Sequence, residues 1–456
     1  MAWKWATVGF HLSWVLLLGA CGSGPRPLLL LVSVDTLRAD QLGVYGNPLG
    51  LTPHIDALMQ GGTLFERAFA TCSYTLPSIA ALMTGRYPEE LGISGNGSRL
   101  TSESATLAEI LRTRGWRTGA VVSNYVLQEG SGIERGFDYF DDHLPQMESN
   151  REVPERIAAA TTDAALRMFD RLNESAGGGA FLWIHYQDPH GPYLPPAGKR
   201  ERFIELERQR PDGKRRIEAG SRRGLGSIPT YQVVGEEREV AFYRAGYKGE
   251  ISYLDDEIGR LMQALDDRGV DEGAVIVFTS DHGEGLGEND YWFAHGEYLS
   301  DPLVRVPLSI HLPGRSGSRR SDPVSSIDLL PTLLAHLGLA PVARAPGRDL
   351  FAAGAQEAAS QIYLASLGGG PFPRYGLVRD EYKYLITLHR GGMREELYQL
   401  GEEEHDLSSS EERRLLEMRG QLSRLRAGLK PPVAPQSQDL SPEKRERLRR
   451  LGYLVD

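Results

Sequence analysis

Four apolar stretches of this 456-residue sequence run out into side chains that bind metals or move protons. "PLLLLVSVD" ends at Asp35 and "TGAVVSN" at Asn124. "GAFLWIHYQD" leads into His185, Asp188 and His190, and "GAVIVFTSD" into Asp281-His282. Each continuous apolar run reads as a strand buried on both faces. In open α/β sheets, ligands bind beyond the carboxyl ends of the strands. One polar residue at such an end is ordinary loop chemistry. Four groups on one edge describe a pocket rich in Asp and His, which is first of all a metal site.

A fifth stretch, "TCSYTLPSIAALMTGRYP", holds two nucleophile candidates, Cys72 and Thr75. Pro77 suits a first helical turn and Gly85 a C-terminal cap, so a helix is predicted to start near residue 77 with Thr75 at or just before it. There Thr75 is either an N-cap or a nucleophile. A helix N-terminus favours anions, but a bare threonine hydroxyl needs a metal or a base to react. Asp35, Asp281 and His282 offer three ligands and leave Thr75 as the fourth. That oxygen-rich set with one nitrogen suits Zn²⁺ or Mn²⁺ ahead of Ca²⁺.

The elements that must position these groups follow from periodicity. Helical patterns such as "TPHIDALMQGG" and "YKGEISYLDDEIGRLMQALDDRG" alternate with the strands. The alternation implies an α/β fold, a large and mostly parallel sheet sandwiched by helices. A further apolar run, "VPLSIHLPG", adds a strand near residue 310. Residues 199–223 interrupt the pattern with ten Lys/Arg against five Asp/Glu. This charged insertion reads either as a solvated helix or as a lid facing an anionic substrate or anionic lipid. From about Gly347 the pattern becomes a smaller antiparallel sheet followed by a helix, to about residue 430, and residues 431–456 form a charged tail. The formal net charge of -10 argues against a basic-patch nucleic-acid binder.

The N-terminus, "MAWKWATVGFHLSWVLLLGACGSG", has the charged start and short apolar core of an export signal. Its L-G-A-C ending resembles a bacterial lipoprotein box. That resemblance implies a signal peptide at 1–20, lipid on Cys21, and anchoring in the bacterial cell envelope on a periplasmic or outer-membrane face. Only Cys72 then remains, so no disulfide framework is expected.

Over nearly the whole mature chain, the sequence resembles the sulfatase family of the alkaline-phosphatase-like superfamily. The resemblance rests on "VSVDTLRADQLGVYG", "TLPSIAALMTGRYPEELGISGNG", "HYQDPHGPY", "TSDHGEGLGENDYWFAHGEYLSDPLVRVPL" and "EELYQLGEEEHDL". It implies a catalytic unit over 26–346 and a C-terminal subdomain over 347–430. Its metal ligands fall on Asp35, Asp281 and His282, with Thr75 as nucleophile and fourth ligand. Asn96, Asn124 and Asp188 fall in the substrate pocket, and His190 and His295 beside the transferred group or leaving oxygen. Asp188, His190 and His295 are also where a second ion would sit.

The departures from the family pattern carry as much chemistry. Typical sulfatases have C-x-P-S-R, whose cysteine or serine becomes formylglycine, whereas this chain has T-L-P-S-I. Threonine cannot yield that aldehyde, so no formylglycine is expected. Cys72 lacks the x-P-x-R that should follow it and is expected to be a buried small residue. The second Asp of the usual pair is Thr36. A threonyl ester cannot collapse to an aldehyde and must be cleaved by water at sulfur or phosphorus. The reading is therefore a metal-dependent hydrolase of sulfate or phosphate esters of a glycan, lipid or small molecule. The alternatives are a phosphodiester or phosphonate hydrolase, a phosphoethanolamine-type transferase, and a non-catalytic glycan-binding lipoprotein.

Overall fold

The computed structural model describes residues 27–147, 153–174, 178–220, 223–270, 273–356, 361–368, 371–430, 436–438 and 441–450. The expected signal peptide, residues 1–20, and Cys21 lie outside the described residues. In chain order the strands of the first part are β1 (Leu28–Val34), β2 (Thr63–Phe69), β3 (Arg117–Val122) and β4 (Tyr139–Asp141), then the ribbon β5 (Gln146–Met147) and β6 (Pro154–Glu155). They continue with β7 (Ala180–Tyr186), β8 (Val275–Ser280), the ribbon β9 (Gly285–Leu286) and β10 (Trp292–Ala294), β11 (Arg305–His311), β12 (Ser318–Arg320) and β13 (Val324–Ser325). The helices are α1 (Pro53–Gln60), α2 (Thr75–Thr84), α3 (Leu107–Thr113), α4 (Ala158–Asn173), α5 (Glu201–Arg208), α6 (Val240–Asp266), α7 (Asp301–Val304) and α8 (Leu329–His336).

The main sheet runs β12-β2-β11-β8-β1-β7-β3-β4, with β13 beside β2. Its centre, β8-β1-β7-β3, is parallel, so all four strands end on one edge. β11 runs against both β8 and β2. Two reversals return β2 to the common direction, and Phe69 therefore leaves the sheet on the same edge as Val34 and Ser280. β1 shows why these strands lack polar alternation. Leu28, Leu30, Val32 and Val34 join a core with α1, α4 and α6, while Leu29 and Leu31 join one with α2, α3 and α8.

The sheet is mostly parallel, as read from the sequence, with β11 as the antiparallel exception. β11 is buried on both faces whichever way it runs, so its apolar run carries no sign of direction. β2 escaped the periodicity analysis because Glu66 and Arg67 break its apolar pattern.

The C-terminal part is a four-stranded antiparallel sheet, β14 (Gln361–Ser366), β15 (Arg374–Arg379), β16 (Tyr382–His389) and β17 (Gly392–Gln399), followed by α9 (Glu412–Gly428). It is tied to the first part by Ala365 N–H donating to the Thr71 carbonyl at 2.9 Å and Ser366 Oγ to that of Gly296 at 2.6 Å. The tail has a described contact of its own. Arg99 N–H donates to the Gln436 carbonyl at 2.8 Å, and α10 (Pro442–Arg450) follows.

The charged insertion is docked rather than simply solvated. α5 buries Phe203, and its Glu207 forms a buried ion pair with Lys248 of α6 at 2.9 Å. Arg208 pairs with Glu239 at 2.7 Å. Farther along, Tyr231 stacks on His190 with ring centroids 6.4 Å apart.

Candidate active site

Backbone hydrogen bonds continue beyond the strand ends and hold the site loops in register. Asp35 N–H donates to Tyr186 O at 2.9 Å, Asp281 N–H to Val34 O at 3.2 Å, and Ser123 N–H to His185 O at 3.1 Å. Just after Asp35 the chain turns through Thr36 at φ 55, a left-handed conformation strained for a β-branched residue. The turn aims Thr36 N–H at Asp281 Oδ1, 3.2 Å away, and Tyr247 OH holds the Thr36 carbonyl at 2.6 Å.

α2 starts at Thr75 itself, two residues earlier than Pro77 suggested, and ends at Gly85 with φ 64 as read. Ser78 Oγ donates to the Asp281 carbonyl at 2.6 Å, which clamps the helix onto the loop after β8. Asn96 Oδ1 accepts Leu76 N–H at 2.9 Å, and Ser78 N–H donates to Tyr74 O at 3.0 Å. Pro77 has no N–H. The first turn therefore favours an anion chiefly through its dipole rather than through a row of open amides.

Asp35, Asp281 and His282 are fully buried and bring one ligand atom each to within 4.8 Å of one another. The hydrogen bonds decide which atoms these are. Asp281 Oδ1 accepts from Thr36 and from His282 N–H, at 3.2 and 2.7 Å, and leaves Oδ2 without a partner. Asp35 Oδ2 accepts from Asn124 Nδ2 and leaves Oδ1 without a partner. His282 Nδ1 faces the Gly283 carbonyl at 2.9 Å; a carbonyl only accepts, so the proton sits on Nδ1 and the Nε2 lone pair is available. His282 Nε2 lies 3.5 Å from Asp281 Oδ2, 3.9 Å from Asp35 Oδ1 and 3.4 Å from Thr75 Oγ1. A tetrahedral ion with ligands at about 2 Å has ligand-to-ligand edges of about 3.3 Å. The unpartnered atoms thus match a divalent cation in chemistry and in spacing.

The electrostatics agree. Burial pushes the Asp35 carboxyl up to about 7, against His295 and the Asn124 amide, and Asp281 up to about 6 with the repulsion of Asp35 added. Burial also pushes His282 down to about 4. Two carboxylates and a neutral imidazole in a water-poor pocket are a cation's ligands.

His295 and His190 stand beside this cluster. The His295 ring lies 4.6 Å from that of His282 and 5.2 Å from that of His190. His295 Nδ1 is 3.1 Å from Glu284 Oε1, and His190 Nδ1 is 2.8 Å from the Gly191 carbonyl. Burial pushes His295 down to about 4, so it enters the site as a neutral base. Glu284, fully buried and pushed up to about 8 by burial, was not singled out from the sequence. Nothing local separates it from Glu288, whose side chain is 40% exposed.

The remaining predicted residues divide. Asn96 is buried beside the first turn of α2, with Nδ2 unpartnered and available to an anion. Asn124, expected in the substrate pocket, meets Asp35 of the candidate metal cluster through Nδ2, and its Oδ1 accepts Val126 N–H at 2.7 Å. Asp188, also expected there, faces Glu250 of α6 and the Ala158 amide at the head of α4, and burial raises it to about 6. With Asp188 turned that way, it forms no cluster with His190 and His295. Among the described residues the one group of three or more metal-ligating side chains is Asp35, Asp281 and His282. Cys72 is buried as expected, its thiol pushed up to about 12 by burial, which makes it no nucleophile.

The family model for sulfatases matches residues 27–339. Mouse (Mus musculus) iduronate 2-sulfatase is 26% identical over 393 residues, spanning 70% of this chain and 70% of that protein. The ulvan-active sulfatase of Formosa agariphila is 25% identical over 334 residues, spanning 68% of this chain and 61% of that protein. Among solved structures, the phosphonate monoester hydrolase of Agrobacterium radiobacter superposes with a TM-score of 0.70 at 23% identity, over 88% of this chain and 96% of that one. That likeness bears on the fold, a mostly parallel sheet flanked by helices with a small antiparallel sheet appended. With the family model spanning its strands, its buried Asp-Asp-His cluster and the loop of His295, this chain belongs to the sulfatase family of ester hydrolases.

Proposed function

We propose that this protein hydrolyses anionic esters with Thr75 as a metal-activated nucleophile, and that its preference lies with phosphodiesters or phosphonates over sulfate monoesters. The observation that carries the reading is Thr75 Oγ1 beside the Asp35–Asp281–His282 cluster, 3.4 Å from His282 Nε2. Asp35, Asp281 and His282 would hold a divalent ion, which would supply Lewis acidity to the Thr75 hydroxyl and to the anionic substrate.

The chain's own groups do the rest. Thr75 Oγ1 forms its bond to phosphorus or sulfur as the bond to the alcohol oxygen breaks. The hydroxyl proton passes to a neutral imidazole, His295 or His190, and from there to the leaving oxygen. Water then attacks the threonyl ester, with the imidazole taking its proton and returning it to Thr75. The α2 dipole and the Asn96 amide hold the anion throughout. Threonine has no aldehyde route for releasing the group, and this second displacement is easier at phosphorus than at sulfur. The iduronate- and ulvan-directed relatives favour an anionic glycan as the alcohol part. We place the protein in the bacterial envelope, anchored through lipid on Cys21.

The test is turnover of nitrophenyl sulfate, phosphate monoester, phosphodiester and phosphonate with Zn²⁺ or Mn²⁺, each beside Thr75→Ala. Diester or phosphonate turnover lost in the variant is the expected result. Sulfate as the preferred substrate overturns the preference, and turnover surviving in Thr75→Ala overturns the nucleophile.

A further inference from the structure

One face of the main sheet changes character where β1 and β7 approach the site. Leu29 and Leu31 from β1 and Phe181 and Trp183 from β7 belong to the apolar layer on the α2 side. The next residues on that face are Ser33 and His185, opposite each other in the β1–β7 register and fully buried. A hydroxyl and an imidazole buried there cost free energy unless hydrogen bonds compensate.

Those bonds form a directed chain. The Trp183 indole Nε1 can only donate, and it donates to Ser33 Oγ at 2.9 Å. Ser33 Oγ lies 2.9 Å from His185 Nδ1, and its alternative acceptor, the Ile184 carbonyl, is farther away at 3.4 Å. The hydroxyl has one proton, and the nearer of its two acceptors assigns that proton to His185 Nδ1. An imidazole that accepts at Nδ1 carries its proton on Nε2. His185 Nε2 is buried without a hydrogen-bond partner and lies 3.9 Å from Asp35 Oδ2. A histidine serving only the core satisfies both nitrogens, whereas this one directs an N–H at a metal ligand.

We propose that His185 is a positioning residue for the bound cation: its Nε2–H closes onto Asp35 Oδ2 and holds the carboxylate with Oδ1 toward the ion. The inference rests on the metal-binding reading above. Trp183 and Ser33 set the tautomer, so the orientation of the ligand is determined two side chains away from the ion. Partners of metal ligands commonly account for about ten- to a hundred-fold in affinity.

The experiment measures Zn²⁺ and Mn²⁺ dissociation constants by chelator competition, which needs no substrate. The proteins are the parent, His185→Phe, His185→Gln and, as a control, Asp281→Asn. His185→Phe is expected to weaken binding about ten- to a hundred-fold, while His185→Gln, which keeps an N–H, recovers part of the loss. A histidine that merely fills the core would lower the metal-free melting temperature and leave the constants unmoved. Parent-like affinity in His185→Phe, or equal loss in His185→Gln, overturns the proposal. Should His185→Phe fail to fold, Ser33→Ala frees the tautomer and is expected to weaken binding several-fold; unchanged affinity there overturns the proposal as well. If Asp281→Asn binds as the parent does, the metal reading itself fails, a result distinct from a failure at His185.

Discussion

Two buried acidic clusters in this molecule have opposite fates. At the junction with the C-terminal sheet, Lys383 Nζ sits 2.9 Å from Asp301 Oδ1 and 2.7 Å from Glu403 Oε1, with Lys383 fully buried. Burial alone would raise both carboxyls; the Lys383 charge outweighs it at Asp301, which is held below its usual value, and offsets it only in part at Glu403, which burial pushes up to about 7. At the edge of the main sheet, Asp35 and Asp281 are equally buried, yet the side chain beside them is a neutral histidine and both carboxyls are raised. Both clusters hold two carboxyl groups. One has its cation covalently built into β16 and is a structural joint. The other has no such cation beside it among the described residues and is the candidate seat for an ion. A buried acidic cluster becomes informative about function once its counter-charge has been sought and not found.

The comparison is open to disruption at either end. The largest expected effect is at the ion seat. Thr75→Ala should lower turnover by about a thousand-fold or more while Zn²⁺ or Mn²⁺ still raises the melting temperature. Asp281→Asn should lose both the turnover and the thermal shift. Next is the structural joint. Lys383→Met leaves two carboxyl groups without their cation and should cost about 3–5 kcal/mol in urea unfolding. Added metal should not restore that loss, and turnover per folded molecule should match the parent.

A smaller effect is expected where the site meets its supports. Glu284→Gln keeps the side-chain shape but replaces the carboxyl group facing His295 Nδ1 with an amide. Turnover should fall about ten-fold, with metal affinity unchanged, in steady-state assays beside chelator competition. The smallest effect concerns pH in the metal-free protein. The folded-state values of Asp35 and Asp281, about 7 and about 6, lie above their ordinary value near 3.8. Their stabilising contribution is complete below pH 4 and is lost as pH rises through 6 and 7. With chelator present, Asp281→Asn should therefore melt above the parent at pH 8, and this advantage should shrink toward pH 4. Saturating metal should reverse the order at pH 8.

Much of the site was readable because its logic is local. Asp35, Asn124 and Asp281 each end a continuous apolar run, and a carboxyl or amide side chain is costly inside a buried strand unless it is paired. Pro77 and Gly85 framed α2 closely enough to place Thr75 at its head. What neighbouring letters did not reveal were contacts whose partners are remote in sequence. Asn124 was assigned to substrate, but its partner Asp35 lies on the neighbour of a neighbouring strand. Asp188 was assigned there too, and Glu250 turns it toward α6. The insertion was read from its charge, whereas a single buried pair, Glu207 with Lys248, docks it.

The amino-acid sequence by itself determined the inventory: two aspartates and a histidine at strand ends, a threonine at a helix start, and the exclusion of an aldehyde at that position. Covalent chemistry and short-range periodicity set these, and both are written in neighbouring letters. The tertiary structure decided which lone pairs are left over. Asn124 on the β3 side saturates one oxygen of Asp35, Thr36 and His282 saturate one of Asp281, and Gly283 fixes the tautomer of His282. The atoms that remain converge because parallel strands distant in sequence end side by side. Only sheet packing brings those ends together, and a hydrogen bond once made there leaves a specific atom open to the ion.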